Sequence, residues 1–148
     1  KECGWCKAWN LAIDRFPIGG GFGVYEPDVC MIYAPNPLDC RASHSIYFQM
    51  LVEHGFGGLF LFLSIYVLTW FNASRVVQAT KNDPDLLWAK DLAAMTQVSL
   101  IAYASGGAFL SLAYFDFPYY LVILMVVLRA LVTRESLLSK SPANRVLA

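Results

Sequence analysis

Residues 56–73 read FGGLFLFLSIYVLTWFNA and hold no charge. Crossing the hydrocarbon of a bilayer takes about 20 helical residues, so this stretch is suited to lipid rather than water. Two more apolar runs follow. Residues 92–115 read LAAMTQVSLIAYASGGAFLSLAYF, and residues 118–132 read PYYLVILMVVLRALV. The second run is long enough to cross and the third is short. Arg129 lies near the end of the third, from where its long stem lets the guanidinium snorkel to the headgroups. A buried soluble hairpin is the competing reading, but so short a chain has too little polar sequence to cover three such runs.

Composition agrees. The 148 residues are 57% hydrophobic, 15% aromatic and only 15% charged, against about 25% charged in a typical soluble domain. Net charge is zero, so no basic field points to nucleic acid. Up to Gly55 apolar and polar residues are mixed, and beyond it the apolar ones gather into runs. The expected fold is an all-α integral membrane protein. About three transmembrane helices follow a segment with short amphipathic helices and a Gly/Pro-rich loop. The expected organisation is an extracytoplasmic segment over residues 1–55, a membrane region over 56–132 and a cytoplasmic tail over 133–148.

Loop charges set the orientation. The linker over residues 72–91 carries Arg75, Lys81 and Lys90, and the tail carries Arg134, Lys140 and Arg145. The turn between the second and third runs carries only Asp116. Lys and Arg favour the cytoplasmic side, so linker and tail are read as inside and residues 1–55 as outside. Tyr114, Phe115, Phe117, Tyr119 and Tyr120 then form an aromatic belt at the outer surface. The four cysteines, Cys3, Cys6, Cys30 and Cys40, all fall in the outside segment. An oxidising compartment permits disulfides there, and of the three possible pairings Cys30 with Cys40 is favoured. Zinc is a weaker reading, because no second close pair accompanies the C-x-x-C of Cys3 and Cys6. No metal or cofactor is expected. The chain opens without a Met, a basic stretch or a cleavage site, so no signal peptide is read. An outside segment needs an earlier crossing, and the expectation is the C-terminal part of a larger polytopic protein.

Within the outer segment, WCKAWNLAIDRFP places Trp5, Trp9, Ala12, Ile13 and Phe16 at helical spacing, with Lys7, Asp14 and Arg15 elsewhere on the turn. It predicts an interfacial amphipathic helix stopped by Pro17. PIGGGFG then supplies four glycines in five residues, 19–21 and 23. Without a following Lys-Ser/Thr pair it is no P-loop. A flexible turn and a close backbone approach to a ligand both remain open. VYEPDVCMIYAPNPLDC, with three prolines, reads as an irregular loop that could lie over a site.

RASHSIYFQMLVEHGFGGL, residues 41–59, raises the functional question. Ser43 or Ser45 can cap a helix over residues 46–54 that ends at Gly55. Arg41 and His44 stand at its N-terminus, where unpaired amides and the helix dipole favour an anion. A guanidinium, an imidazole and a helix start at a membrane surface suit the phosphate of a lipid. The imidazole is a natural general base for a hydroxyl near neutral pH. His54, beside Gly55, reads as a structural residue bonding the last carbonyls. Ala102, Ala104, Gly106, Gly107 and Ala108 read as packing. Asp83 with Pro84 reads as a helix start. The sequon at residues 72–74 is discarded, being inside.

HSIYFQMLVEHGFGGLFLFL resembles the C-terminal signature of the bacterial O-antigen ligase and O-antigen polymerase superfamily: His-Ser, a tyrosine, a leucine, a glutamate and Gly-x-x-Gly opening a span. AWNLAIDRFPIGGGFGVY, YAPNP, RASHSIYFQMLVEHGFGGL and GGAFLSLAYFDFPYYL are similar to one branch, the O-glycosylation ligases associated with exosortase A systems. The resemblance covers all but the tail. It implies a multi-pass protein of the bacterial inner membrane with its site facing the periplasm. It implies transfer of a glycan from an undecaprenyl diphosphate donor to a hydroxyl of a lipid, protein or glycan acceptor. By position, His44 is the motif histidine, a base or acceptor-orienting group. Glu53 is the motif glutamate, a catalytic-site residue that organises the site first and takes a direct part in the chemistry second. Arg41 is the diphosphate grip, since a planar fork holds a diphosphate bidentately, and Arg15 is a second candidate contact. Where the family pattern has an arginine ahead of the Trp-rich helix, this chain has Lys1, which lacks that fork. The alternative is a non-catalytic membrane partner, a transport or scaffold subunit that binds a lipid phosphate.

Overall fold

The computed structural model describes residues 4–33 and 44–139. Among these there is no strand. Five helices follow in order: α1 Gly4–Asp14, α2 Pro27–Tyr33, α3 Ile46–Ala79, α4 Leu87–Gly107 and α5 Phe117–Ser139. Short 3-10 turns at Phe22–Tyr25 and Pro84–Leu86 precede α2 and α4. Two helical stretches, Ile46–Ala79 and Phe117–Leu137, are long and apolar enough to cross a membrane. The third expected run is therefore not short: α5 extends through Ser139. The second is shorter than expected. α4 ends at Gly107, eight residues before Phe115, and the chain turns through 3-10-type bonds such as Ala108 N–H to Ser105 O (3.3 Å) and Phe109 N–H to Gly106 O (3.1 Å).

The chain divides into two compact units. The first comprises Lys1–Ser64 and Tyr103–Phe115, the second Ile65–Ala102 and Asp116–Ala148. In the second unit, Ala73 and Val76 of α3, Ala89 and Ala93 of α4, and Met125, Leu128 and Val132 of α5 form one core. Alanine from two of the helices lets the backbones approach closely. Beside core residue Ala73 the helices exchange polar bonds. Gln97 Nε2 donates to Ser74 Oγ (2.8 Å) and Arg129 donates to Asn72 Oδ1 (2.5 Å). The reading of Asp83 and Pro84 as a helix start holds: Asp83 Oδ1 accepts the amide of Asp85 at 3.0 Å, with Pro84 at the first position.

In the first unit, α1 forms where its spacing predicts, and the side it packs inside the protein is that of its smaller apolar residues. Ala8, Leu11 and Ala12 are fully buried, and the core is completed by Val24 and Val52 with Tyr25, Val29, Tyr33 and Phe48 around them. Trp5, Trp9, Ile13 and Phe16 stay about half exposed or more. Trp5 stacks on Phe48 (5.1 Å) and Trp9 meets Phe56 edge-on (5.8 Å). Lys7, read on the polar side, is buried with the small residues because it lies four before Leu11, one helical turn along the same face. Of the stretch expected to be an irregular loop, the described part is helical over Pro27–Tyr33, and residues 34–40 lie outside the described residues. Pro27 opens α2, where a missing N–H costs nothing. Tyr33 at its end donates to Asp14 Oδ2 at 2.5 Å, tying α2 to the end of α1.

Candidate functional site

The site grows from a break in α3. Gly55 has φ 66° and ψ −165°, so the helix that starts at Ile46 is interrupted there, as the sequence predicts. An interrupted helix leaves its last carbonyls without intrahelical donors. The glycine-rich loop answers them. Gly20 N–H donates to Val52 O (2.9 Å) and Gly21 N–H to Glu53 O (2.8 Å), while Gly57 N–H returns to Pro17 O (3.2 Å). A β-carbon on Gly19 would lie 2.3 Å from Gly55 N, and one on Gly55 would lie 2.1 Å from Pro17 O. Of the two readings of this loop, close approach is the one observed, and its partner is the protein's own backbone. The amides of Gly20 and Gly21 are spent on carbonyls rather than aimed at a phosphate.

A second approach brings the turn after α4 to the same place. Gly107 has no side chain because Ile46 fills that space, with Ile46 Cδ1 only 2.5 Å from where a β-carbon would stand. Tyr47 donates to Ala104 O at 2.8 Å. Gly107 thus has the packing role expected of it, whereas Gly106 has nothing within 4 Å of a built β-carbon. Tyr103 hydroxyl donates to Leu112 O at 2.7 Å and holds the turn. Tyr114 then reaches the break in α3.

There Tyr114 donates its phenol proton to Glu53 Oε2. Glu53 is 3% exposed, so this bond supplies a buried carboxylate with a partner. The same hydroxyl lies 3.0 Å from His54 Nε2. Phe22 meets the His54 ring edge-on at 5.5 Å. On the other side, Gly58 leaves room: a β-carbon there would fall 2.1 Å from His54 Cβ. His54 is therefore held by a phenol, a phenyl edge and a glycine. This differs from the carbonyl-capping role its position suggested. Helical spacing does not reveal it, since Gly58 lies across the break at Gly55 and Tyr114 is 60 residues away.

The remaining expected residues are more scattered. His44 is exposed and has φ 46°, a left-handed conformation that non-glycine residues adopt sparingly. Arg15 is exposed at the end of α1, and its carbonyl accepts from Ile18 and Gly19. Arg41, the expected diphosphate grip, lies outside the described residues, as do Lys1 and Ser43. Cys6 and Cys30 are both disulfide-bonded, which removes them as thiolate ligands for zinc. The favoured Cys30–Cys40 pairing involves Cys40, also outside the described residues. On α1, the Lys7 ammonium is 2% exposed, makes no hydrogen bond, and sits 5.1 Å from the centre of the Tyr25 ring. Burial holds it below the usual lysine value.

No protein-family model, curated protein or solved structure matches the chain.

Proposed function

We propose that this chain belongs to a multi-pass membrane glycosyltransferase of the O-antigen ligase type, acting on the outer face of a bacterial inner membrane. The donor is a glycan on a polyprenyl diphosphate, and the acceptor is a hydroxyl. The observation that carries this reading is the buried Glu53 carboxylate, bonded through Tyr114 to an imidazole at the break in α3. Glu53 is buried, His54 half-buried and Tyr114 about half exposed, so the chain leads from a buried carboxylate toward the surface, an arrangement suited to proton transfer.

The membrane part of the reading has its own support. Phe60, Leu61, Leu68, Met95, Val98, Ile123 and Val126 are each more than half exposed, which is an outer surface for lipid. Ser64, Thr69, Ser74 and Thr96 each donate to the carbonyl four residues back, so their hydroxyls are satisfied without water. The disulfides of Cys6 and Cys30 suit an oxidising, extracytoplasmic compartment.

In this reading Glu53 organises the site, His44 orients the acceptor hydroxyl or takes its proton, and Arg41 with Arg15 grips the diphosphate. The exposed, left-handed His44 is held free of the core, where a substrate can reach it. The test is His44→Ala in the intact gene product, scored by lipid-linked donor against glycosylated product at equal protein level. Transfer should fall by about 10²–10⁴-fold. Parental transfer would remove His44 from the chemistry. Absence of any polyprenyl-linked glycan use by the parent would leave the membrane-scaffold alternative.

A further inference from the structure

The proton count around Tyr114 assigns a role to His54. A phenol has one proton, and Tyr114 gives it to Glu53. Toward His54 the phenol oxygen can then only accept. The hydrogen across the 3.0 Å contact therefore belongs to Nε2. In a neutral imidazole a protonated Nε2 leaves Nδ1 with its lone pair. The tautomer is fixed through Tyr114 by a carboxylate that is itself buried, and the ring is fixed by Phe22 and by the space at Gly58. His54 is half-buried rather than sealed.

We propose that His54 is the proton acceptor for the incoming hydroxyl, with Tyr114 and Glu53 as its positioning residues. This rests on the glycosyl-transfer reading and leaves His44 the task of orienting the acceptor. As the acceptor oxygen bonds to the anomeric carbon, the bond from that carbon to the diphosphate oxygen breaks. The diphosphate departs with the electron pair, and the hydroxyl proton passes to Nδ1. The imidazolium so formed donates through Nε2 to Tyr114, which already donates to Glu53, so the new positive charge faces a buried negative one through one hydroxyl. The proton then leaves to water or to the departing diphosphate.

The experiment uses membranes containing the intact gene product and polyprenyl-diphosphate-linked glycan extracted from the producing cells. His54→Ala should slow transfer by about 10²–10⁴-fold at equal protein level. Added imidazole should restore part of it. Tyr114→Phe and Glu53→Gln should retain slower transfer and move the acid limb of the pH–rate profile to lower pH, because each withdraws support from the imidazolium. Parental transfer by His54→Ala, or unmoved acid limbs in both positioning variants, overturns the proposal. If His54→Ala does not accumulate, the two pH profiles decide alone. A parent that consumes no such donor sinks the glycosyl-transfer reading instead, which separates the two failures.

Discussion

Gly19 and Gly55 meet backbone against backbone, with no room between them for a methyl group. Both have positive φ, 80° and 66°. Their meeting seats the loop on the broken end of α3, and so sets where Glu53 and His54 stand.

Alanine at these positions separates collision from strain. Gly21 also has positive φ, but nothing lies within 4 Å of its β-carbon. Gly21, at φ 73° and ψ −170°, sits in a region that is essentially glycine-only, so Gly21→Ala should cost about 1–3 kcal/mol from backbone strain alone. Gly19→Ala and Gly55→Ala should add a backbone clash and cost more than about 3 kcal/mol. Thermal unfolding of the detergent-solubilised protein ranks the three. Equal losses would mean that the seat is not tight.

Lys7 gives a pH signature. Its folded pKa lies below 10.5 because burial opposes the charge. Between that lowered value and 10.5 the unfolded chain binds more protons, so stability rises with pH through this window and the penalty is full below it. Lys7→Met removes an ammonium without a hydrogen bond, worth about 1–3 kcal/mol, and gives up the Tyr25 contact, worth about 0.5–2 kcal/mol. The variant should match or exceed parental stability at neutral pH and lose the alkaline rise. Unfolding midpoints at stepped pH for both proteins check it, and an unchanged slope would contradict it.

Topology is testable with an impermeant thiol reagent. Cys30 is fully buried, whereas Cys6 is exposed. After mild reduction of intact cells, Cys6 should be labelled and Cys30 spared. A cysteine placed at the exposed linker residue Asn82 should be labelled only after the cells are opened. The reverse pattern at Asn82 would invert the orientation derived from loop charge.

Arg41 distinguishes a charge from a fork. Arg41→Lys should weaken use of the diphosphate-linked donor, and Arg41→Ala should weaken it further. Donor titrations read the effect in KM. Parental behaviour of both variants would place the anion contact elsewhere.

Long-range composition and local spacing made much of this legible. The apolar runs announced α3 and α5, and Gly55 announced the break. Asp83 with Pro84 marked the entry to α4. Spacing shows α1 as amphipathic but does not say that the face packed inside the protein carries Ala8 and Leu11, with the large aromatics left about half exposed. Ala8 and Leu11 pack with Val24 and Val52, while the tryptophans rest on Phe48 and Phe56. The end of α4 was missed because Gly107 and Leu110 are as apolar as the helix before them. The partner of His54 is not legible in the sequence, because Tyr114 is 60 residues away. No local pattern carries that contact; it depends on Gly107 admitting Ile46 and on the turn that follows.

The stitching of the glycine loop to α3 also imposes an order of assembly. Residues 17–21 leave the ribosome before residues 52–57, yet the carbonyls and amide that complete their bonding belong to the later stretch. Until Gly57 has emerged, the loop is half a clasp. The bonds that seat residues 17–21 can therefore close only after the first part of α3 and the turn through Gly57 have been made.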